Sequence, residues 1–471
     1  MESAESLKEK LFLNKKNGWE GKSEEEKKEI FKFSNEYMYY LNNGKTEKEI
    51  VEISKEILKK NGFKNIYDCS ELHFGDKVYF ENRDRNIFAA VIGKEPLENG
   101  LKIVAAHADS PRIDLKQNPL CENSGFSMFK THYYGGIRKY QWATIPLSMH
   151  ALFVKEDGEK IKAVWGEDNA ESAFVISDLP PHLSQAQNER KLKDGISGEE
   201  LNVLVGTIPY ETGNTAEKVS EKIKLNILNI LNQKYGITEI DFTSSDIEFV
   251  PAFKARSIGF DGSMVAAYGQ DDKVCCYTAL RGLLNINNPE RTAICVLTDR
   301  EEVGFIGNTG METRIFEKFI VELLERTNQN KLNMLEKVFS NSEVLSADVT
   351  AAYDPNFSDV FEKRNSAEFG KGICISKYGG ARGKSGGSEA SAEFIAKVRK
   401  TFDNAKAQYQ SAELGKVDKG GGGTIALTFA NRGMDVLDCG VPVMAMHSPY
   451  EITSKYDIYQ AYQAYEAFYR D

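Results

Sequence analysis

Apolar residues first recur at helical spacing and then in continuous runs that are typical of strands. In "KTEKEIVEISKEILKKNGF" the apolar face of a helix comprises Ile50, Ile53, Ile57 and Leu58. Gly62 follows as a typical helix C-cap. The runs "KVYFEN", "NIFAAVIG" and "LKIVAAHAD" then predict strands. We expect residues up to about 62 to form a solvated helical layer over a core that contains these strands.

The pattern changes between about 116 and 255, where short β-like runs dominate. "IPLSMHALFVKEDGEKIKAVWGED" predicts a hairpin that turns at Asp157-Gly158. "EIDFTSSDIEFVPA" predicts further strands. Between them, "TAEKVSEKIKLNILNILNQKYG" predicts an amphipathic helix that ends at Gly236, with the apolar stripe Val219, Ile223, Ile227 and Leu231. We therefore predict a β-rich insert, 116–255, that interrupts a domain formed by 1–115 and 256–471.

Strands and helices alternate from about 256 onwards. A helix is predicted to start near Asp272, and the strand "TAICVLT" and the helix "RIFEKFIVELLERT" come next. The strands "EVLSADV" and "GICISK", the helix "SEASAEFIAKVRKTF", the strand "PVMAMH" and the helix "YDIYQAYQAYEAFY" complete the series. Such alternation predicts an α/β fold with a mostly parallel central sheet and helices on both faces. Ligands of such a sheet bind at the carboxyl ends of its strands.

Composition limits the classes of function. The chain has 471 residues, is 41% hydrophobic and carries a net charge of −10 without a basic tract, which argues against a nucleic-acid partner. No apolar run approaches the roughly 20 residues that span a membrane, and the charged start "MESAESLKEKLFLNKKNGW" lacks the apolar core of a signal peptide. The seven cysteines form no C-x-x-C pair. We expect a cytoplasmic protein with reduced thiols.

Imidazoles and carboxylates follow the predicted strands. They are His107 and Asp109 after "IVAA", Asp271 and Asp272 before a helix, the adjacent Glu301 and Glu302 after "AICVLT", Asp348 after "VLSA", and His447 after "VMAM". If the strands are parallel, these side chains converge on one edge of the sheet. Neutral imidazole and carboxylate oxygen are zinc ligands. Such a set could hold two divalent ions and leave one of the adjacent glutamates free to face water.

Each of these residues also has a plain structural explanation. A histidine after a core strand can be a hydrogen-bonded core residue, and Asp271 or Asp272 can be the N-cap of the next helix. Two adjacent glutamates commonly lie in a solvated turn, and Asp348 can simply end a strand. No H-E-x-x-H occurs. "GGARGKSGGSE" is not a phosphate loop because Tyr378 stands where the motif requires glycine.

The sequence resembles the aspartyl aminopeptidases, the aminopeptidase I type of dinuclear zinc exopeptidase, over most of its length. The resemblance lies in "AAHADSPRIDLK", "GQDDKVCCYTAL", "TDREEVGFIGNTGM", "SADVTAAYDPN" and "GGGGTIALTFANRGMDVLDCGVPVMAMHSPYE". Two features depart from the family pattern. Asp272 stands where the family more often has asparagine, and the region "KYGGARGKSGG" diverges.

The resemblance implies a zinc-exopeptidase catalytic domain with a role for each matching residue. Two divalent ions per subunit are implied, with zinc expected and cobalt or manganese as alternatives. His107 and Asp348 would bind one ion, His447 and Glu302 the other, and Asp271 would bridge them. Glu301 would be the catalytic general base, and Asp109, which we group with the catalytic residues, would orient His107.

The resemblance also implies a substrate and an assembly. The substrate would be a peptide with an N-terminal Asp or Glu, which requires a cation near the metals. We predict Lys377, Arg382 and Lys384 as substrate-binding residues, with Lys377 best placed. The insert would carry the subunit contacts of a tetrahedral dodecamer, and His182 within it could reach a neighbouring active site. The alternatives are a broader aminopeptidase, a carboxypeptidase or deacylase, and a non-catalytic assembly or binding protein on the same fold.

Overall fold

The structure is a computed structural model that describes residues 3–13, 16–168, 170–211 and 218–471. The helices are α1 (Ala4–Leu11), α2 (Glu24–Asn43), α3 (Glu47–Lys60), α4 (Gln185–Asn188), α5 (Lys222–Tyr235), α6 (Gln270–Leu284), α7 (Ile315–Arg326), α8 (Met334–Ser340), α9 (Ala392–Ala405), α10 (Ala426–Ala430) and α11 (Lys455–Arg470). The first twelve strands are β1 (Lys64–Asn65), β2 (Lys77–Asn82), β3 (Asn86–Val91), β4 (Lys102–His107), β5 (Arg112–Asn123), β6 (Phe126–Tyr134), β7 (Leu147–Val154), β8 (Lys160–Trp165), β9 (Val175–Ile176), β10 (Val203–Gly206), β11 (Asp246–Pro251) and β12 (Arg256–Ile258). The others are β13 (Met264–Ala267), β14 (Ala293–Thr298), β15 (Glu343–Ser346), β16 (Thr350–Ala351), β17 (Ile373–Ser376), β18 (Gly380–Ala381), β19 (Tyr409–Ser411), β20 (Gly421–Gly422), β21 (Asp435–Gly440), β22 (Pro442–Met444) and β23 (Glu451–Ser454).

The central sheet has nine strands in the order β1-β2-β3-β14-β4-β15-β21-β17-β19. Its middle strands β14, β4, β15 and β21 pair in parallel. β3 pairs with β2 and with β14 in antiparallel fashion, and β17 runs antiparallel to β21. The parallel middle places the carboxyl ends of β4, β14 and β15 at the same edge of the sheet.

Helices cover both faces of this sheet, so the predicted α/β fold is confirmed. The side chains of β4 alternate between the two faces. Val104 and Ala106 pack in the core beneath α2, α3, α6, α9 and α11. Ile103 and Ala105 pack in the opposite core beneath α7, α8 and α10. Burial on both faces explains why the strand reads as one continuous apolar run.

The strands from Arg112 to Pro251 form a second sheet of seven strands, in the order β8-β7-β11-β5-β6-β10-β9. Its pairings among β5, β6, β7, β8, β10 and β11 are antiparallel. The sheet has a core of its own, which includes Phe129, Phe153 and Phe249, and α5 packs against it. The region 116–255 therefore lies almost wholly in this sheet and its loops.

Two predictions inside this region are corrected. The amphipathic helix was expected from Thr215, but it begins at Lys222, and Val219 lies before it; residues 212–217 fall outside the described part of the chain. The segment before β11 was expected to be a strand, but it is a short 3-10 helix, Glu239–Ser244. Its first turn is stabilised because the Asp241 carboxylate accepts the Thr238 N–H at 2.7 Å.

The segment "PVMAMH" also differs from its prediction. Its strand, β22, ends at Met444 and belongs to a separate five-stranded sheet, β12-β13-β23-β22-β16. The strand of the central sheet is instead the preceding β21, which pairs in parallel with β15. His447 therefore lies in a turn, with φ at 64°, and not at a strand end of the central sheet.

Among the described residues, no helix combines the length and apolar character that a membrane crossing requires. All seven cysteines are free thiols, and most are buried.

Candidate metal centre

Five segments bring the predicted ligands together at the carboxyl edge of the central sheet. His107 ends β4, and Asp348 follows β15. Glu301 and Glu302 open a 3-10 turn after β14. Asp271 precedes the regular part of α6, where its backbone angles are not helical. His447 approaches from the turn after β22, and Asp271 follows β13, so these two segments come from the five-stranded sheet.

Asp271 lies between the two imidazoles. Its Oδ1 is 3.2 Å from His107 Nε2, and its Oδ2 is 3.1 Å from His447 Nε2. Asp348 Oδ1 is 4.0 Å from His107 Nε2, and Glu302 Oε1 is 3.4 Å from His447 Nε2. Two groups of potential ligands therefore share Asp271, one around each histidine, and a third group joins His107 with Glu301 and Glu302.

The hydrogen bonds of each imidazole identify which nitrogen carries the proton. His447 Nδ1 lies 2.7 Å from the Gly136 carbonyl oxygen, and His107 Nδ1 lies 3.1 Å from the Asp109 carbonyl oxygen. A carbonyl oxygen can only accept, so we assign the proton to Nδ1 in both rings. Each Nε2 then faces a carboxylate oxygen of Asp271 and is the nitrogen that a metal ion would bind.

The Asp109 carboxylate connects His107 with the two adjacent glutamates. It lies 3.3 Å from His107 Nδ1 and accepts the Glu301 and Glu302 N–H groups, each at 3.2 Å. It also accepts the Tyr134 hydroxyl at 2.8 Å. Burial raises the pKa of Asp109, but the hydrogen bonds from His107 and Tyr134 outweigh it and lower the pKa below its ordinary value. Asp109 thus stays ionised and joins a ligand histidine to both glutamates.

Glu451 fixes the backbone of two predicted ligands, Asp271 and His447. It was not singled out from the sequence. Its carboxylate accepts the Asp271 N–H at 3.0 Å and the His447 N–H at 2.7 Å. It is buried at the start of β23. A charged residue at the head of a buried strand was the available signal, although only the fold shows which amides it accepts.

Without a cation, the carboxyl groups of this cluster are too close together and too buried for all of them to be ionised. Burial raises the pKa of Glu301 to about 7, and the nearby Asp271 and Asp109 charges add to this rise while His107 opposes it. Burial likewise raises the pKa of Glu302 and of Asp348. A bound cation would reverse these shifts because it favours the ionised carboxylates.

The donor set fits divalent metal ions. Asp271 Oδ1 and Glu302 Oε1 are buried and have no hydrogen-bond partner among the described residues. An unpartnered buried carboxylate oxygen is costly. Each of these oxygens faces an imidazole Nε2, so a cation between them would bind both the oxygen and the nitrogen. Imidazole nitrogen with carboxylate oxygen is a ligand set that zinc accepts.

A cavity of about 480 Å³ opens onto this cluster. Glu301 is the more accessible of the adjacent glutamates, since 16% of its side chain is exposed against 2% for Glu302. The remaining wall includes Ser376, the glycine-rich segments at 379–380 and 420–423, and the side chains Arg382, Lys384 and Lys416. Lys416 was not singled out from the sequence.

The predicted position of Lys377 is corrected. Along β17 and its end, Cys374 and Ser376 line the metal-site cavity, whereas Ile375 and Lys377 line a different cavity of about 440 Å³. Side chains alternate along a strand. Lys377 therefore does not line the cavity of the metal ligands, although it is the cation nearest the strand end in sequence.

Arg382 and Lys384 lie in the exposed loop on the cavity wall. The Lys384 ammonium is 3.2 Å from the Glu389 carboxylate and lies 4.0 Å from the centre of the Tyr378 ring. Both loop residues have positive φ, 51° at Arg382 and 65° at Lys384. Among the other histidines, His150 is buried between Glu49 and Glu167, while His73 and His132 are exposed.

Comparison with known proteins places the chain among peptidases. Residues 40–469 match the family described as aminopeptidase I zinc metalloprotease (M18). A relative from Clostridium acetobutylicum, named "Probable M18 family aminopeptidase 1", is 47% identical over 462 residues, which cover 97% of this chain and 98% of the relative.

Solved structures agree with this match. The crystal structure of an M18 family aminopeptidase from Thermotoga maritima is 43% identical, covers 98% of this chain and 100% of that chain, and superposes with a TM-score of 0.93. The structure of the yeast mApe1 dodecamer is 19% identical, covers 93% of this chain and 96% of that chain, and has a TM-score of 0.74, which shows a shared fold.

Proposed function

The chain belongs to the aminopeptidase I (M18) family of zinc metalloproteases, and we propose that its metal centre holds two ions that share Asp271. Membership establishes an aminopeptidase, a hydrolase of peptide bonds, in preference to the carboxypeptidase, deacylase and non-catalytic alternatives. In the proposed ligand set, His107 and Asp348 hold one ion, and His447 and Glu302 hold the other. Zinc is the metal of the family; cobalt and manganese tolerate the same ligands.

The position of Asp271 carries this proposal. Its two carboxylate oxygens lie 3.2 and 3.1 Å from the Nε2 atoms of two different histidines. Each histidine already uses Nδ1 on a backbone carbonyl, so only Nε2 is free to bind metal. A carboxylate held between two such nitrogens is suited to a pair of ions that share it.

When bound, a pair of divalent ions polarises the scissile carbonyl and lowers the pKa of the attacking water. Glu301 is the proposed general base, because it is the accessible glutamate at the cavity and a carboxylate there can take a proton from water. Its carboxylate would accept the proton of the attacking water and donate it to the leaving amine. Asp109 would keep Glu301 in place through its backbone N–H.

We propose that the preferred substrate is a peptide with an acidic first residue. Arg382 and Lys384 line the cavity that contains the metal ligands, and Lys416 adds a third cation there. A carboxylate side chain of the substrate would form charge-assisted hydrogen bonds with such groups. Lys377 is no longer part of this proposal.

Variants of the cavity cations, with Lys377 as a control, test the acidic preference. Lys384→Ala and Arg382→Ala should each lower kcat/KM for Asp- and Glu-initiated peptides by roughly 10- to 100-fold, the value of one hydrogen bond to a charged group. Leu-initiated peptides should be little affected. Lys377→Ala is the control and should change neither, because this residue lines the other cavity. Faster cleavage of Leu-initiated than of Asp-initiated peptides by the unmutated enzyme would show a broader aminopeptidase.

We also propose that residues 116–255 act as a distinct insert that carries subunit contacts in a tetrahedral dodecamer in the cytoplasm. Support comes from the separate seven-stranded sheet and its own core, and from the dodecamer reported for the yeast protein of the same fold. Light scattering tests the assembly. A monomer at micromolar concentration would contradict the proposal.

A further inference from the structure

We propose that the segment Tyr134–Gly136, which leaves the second sheet at the end of β6, positions both metal-binding histidines. The metal centre has two halves, the ligands around His107 and the ligands around His447, and the segment contacts each half by different means. This inference rests on the ligand set proposed above, and it assigns a function to residues that are not themselves ligands.

Tyr134 acts on the His107 half. Its hydroxyl donates to Asp109 Oδ2 at 2.8 Å, and Asp109 in turn lies 3.3 Å from His107 Nδ1. The same carboxylate accepts the Glu301 and Glu302 N–H groups. Partners of this kind, one step removed from a metal, fix the orientation of an imidazole and raise its basicity.

The ring of Tyr134 is itself fixed. Arg112 is its cross-strand partner, and the guanidinium lies 3.9 Å from the centre of the ring. Arg112 is buried and is held by Asp114 at 2.8 Å, Glu47 at 3.4 Å and Glu248 at 3.5 Å. The second sheet thereby presents the tyrosine hydroxyl in one preset position.

The two glycines act on the His447 half. The Gly136 carbonyl accepts from His447 Nδ1 at 2.7 Å, which leaves Nε2 directed at Asp271. Gly135 has φ at 74°, and a Cβ there would lie 3.1 Å from Glu302 Oε2. Glycine is therefore favoured at Gly135 for two reasons, its backbone conformation and the close approach to a ligand.

The chain supplies a matched control for each contact. Tyr133 precedes Tyr134 in the same strand and is exposed, so Tyr133→Phe removes a hydroxyl from the same strand without touching Asp109. Gly125, in the turn between β5 and β6, has φ at 84° and open space around its missing Cβ. Gly125→Ala and Gly135→Ala thus impose similar backbone strain, but only the second meets a metal ligand.

The experiment measures metal affinity by competition with a chromogenic chelator, and the absorption spectrum of the cobalt-loaded protein. Tyr134→Phe should lower the affinity for the ion held by His107 by roughly 10- to 100-fold and should alter the cobalt spectrum. Tyr133→Phe should do neither. Gly135→Ala should weaken the ion held by His447 and Glu302 by a similar factor relative to Gly125→Ala. Metal-free Tyr134→Phe and Tyr133→Phe should unfold at similar temperatures.

His107→Ala separates failure of this inference from failure of the proposed ligand set. If His107→Ala retains as many ions as the unmutated protein, the ligand set is wrong, and the inference is overturned with it. If His107→Ala loses an ion while Tyr134→Phe behaves like Tyr133→Phe, only the positioning role is wrong. If Tyr134→Phe lowers the unfolding temperature of the metal-free protein in step with metal affinity, Tyr134 is a packing residue and the inference is likewise overturned.

Discussion

Replacing each of the adjacent glutamates by glutamine separates the general base from its neighbouring ligand. Glutamine has nearly the same shape but can neither accept a proton nor hold a full negative charge. Glu301 lies 3.9 Å from His107 Nε2 with 16% of its side chain exposed, while Glu302 lies 3.4 Å from His447 Nε2 with 2% exposed. Glu301→Gln should therefore remove proton transfer, and Glu302→Gln should remove a ligand.

The expected magnitudes follow from these roles. General-base catalysis contributes roughly 100- to 10,000-fold to the rate, which corresponds to about 2.7–5.5 kcal/mol of transition-state stabilisation. Glu301→Gln should lose activity by such a factor while it retains both ions. Glu302→Gln should lose activity together with metal, because a buried charged ligand for His447's ion becomes neutral.

The assay compares kcat/KM on an Asp-initiated peptide with metal content after dialysis against weak chelator. Glu312→Gln is the matched control, since Glu312 is an exposed carboxylate on the same loop, and it should change neither quantity. Equal metal loss by Glu301→Gln and Glu302→Gln would refute the division of roles. So would a Glu301→Gln enzyme within a few-fold of full activity.

Two further predictions concern stability. Burial lowers the pKa of His150, but hydrogen bonds with Glu167 and Glu49 outweigh it and raise the pKa from 6.5 to about 9. Because its folded-state pKa is raised, protonated His150 stabilises the fold fully below about pH 6.5, and this stabilisation is lost as the pH rises through about 9. It contributes up to about 3 kcal/mol to the free energy of unfolding. His150→Gln should therefore flatten the decline in the urea midpoint between these pH values. Phe316 is fully buried in the core beneath α7, so Phe316→Ala should cost about 3–5 kcal/mol, measured by urea unfolding of the metal-free protein.

Exposed residues of the same types provide the controls. His132→Gln makes the same substitution at an exposed site and is the control for His150→Gln. Phe260→Ala should leave the urea midpoint unchanged, because that side chain is exposed. A His150→Gln protein whose stability declines as steeply as that of the unmutated protein would contradict the first prediction. A Phe316→Ala cost as small as that of Phe260→Ala would contradict the second.

The sequence predicted best those features that are local in the chain. Continuous apolar runs identified β4 and β14 because both strands are buried on their two faces, and the polar residues that follow them, His107 and the Glu301-Glu302 pair, marked the carboxyl edge of the sheet. His447 was found as a candidate, although its strand β22 belongs to another sheet. A short apolar run does not reveal which sheet it joins.

Features that depend on long-range contacts were not predictable. Lys377 was favoured by its closeness to a strand end, but side-chain alternation directs it away from the cavity that Ser376 lines. Glu451 acts on the backbone of Asp271, far away in sequence, and Gly136 acts through a carbonyl that every residue possesses. No residue pattern predicts such contacts, because they form only once the three sheets are assembled.

The shared-carboxylate metal pair is tested most directly by anomalous scattering from crystals of the zinc-loaded protein. We predict two zinc peaks per subunit, roughly 3.5–4 Å apart, with Asp271 between them. His107 and Asp348 should contact one peak, and His447 and Glu302 the other. A single peak, or two peaks that do not share Asp271, would contradict the proposed centre.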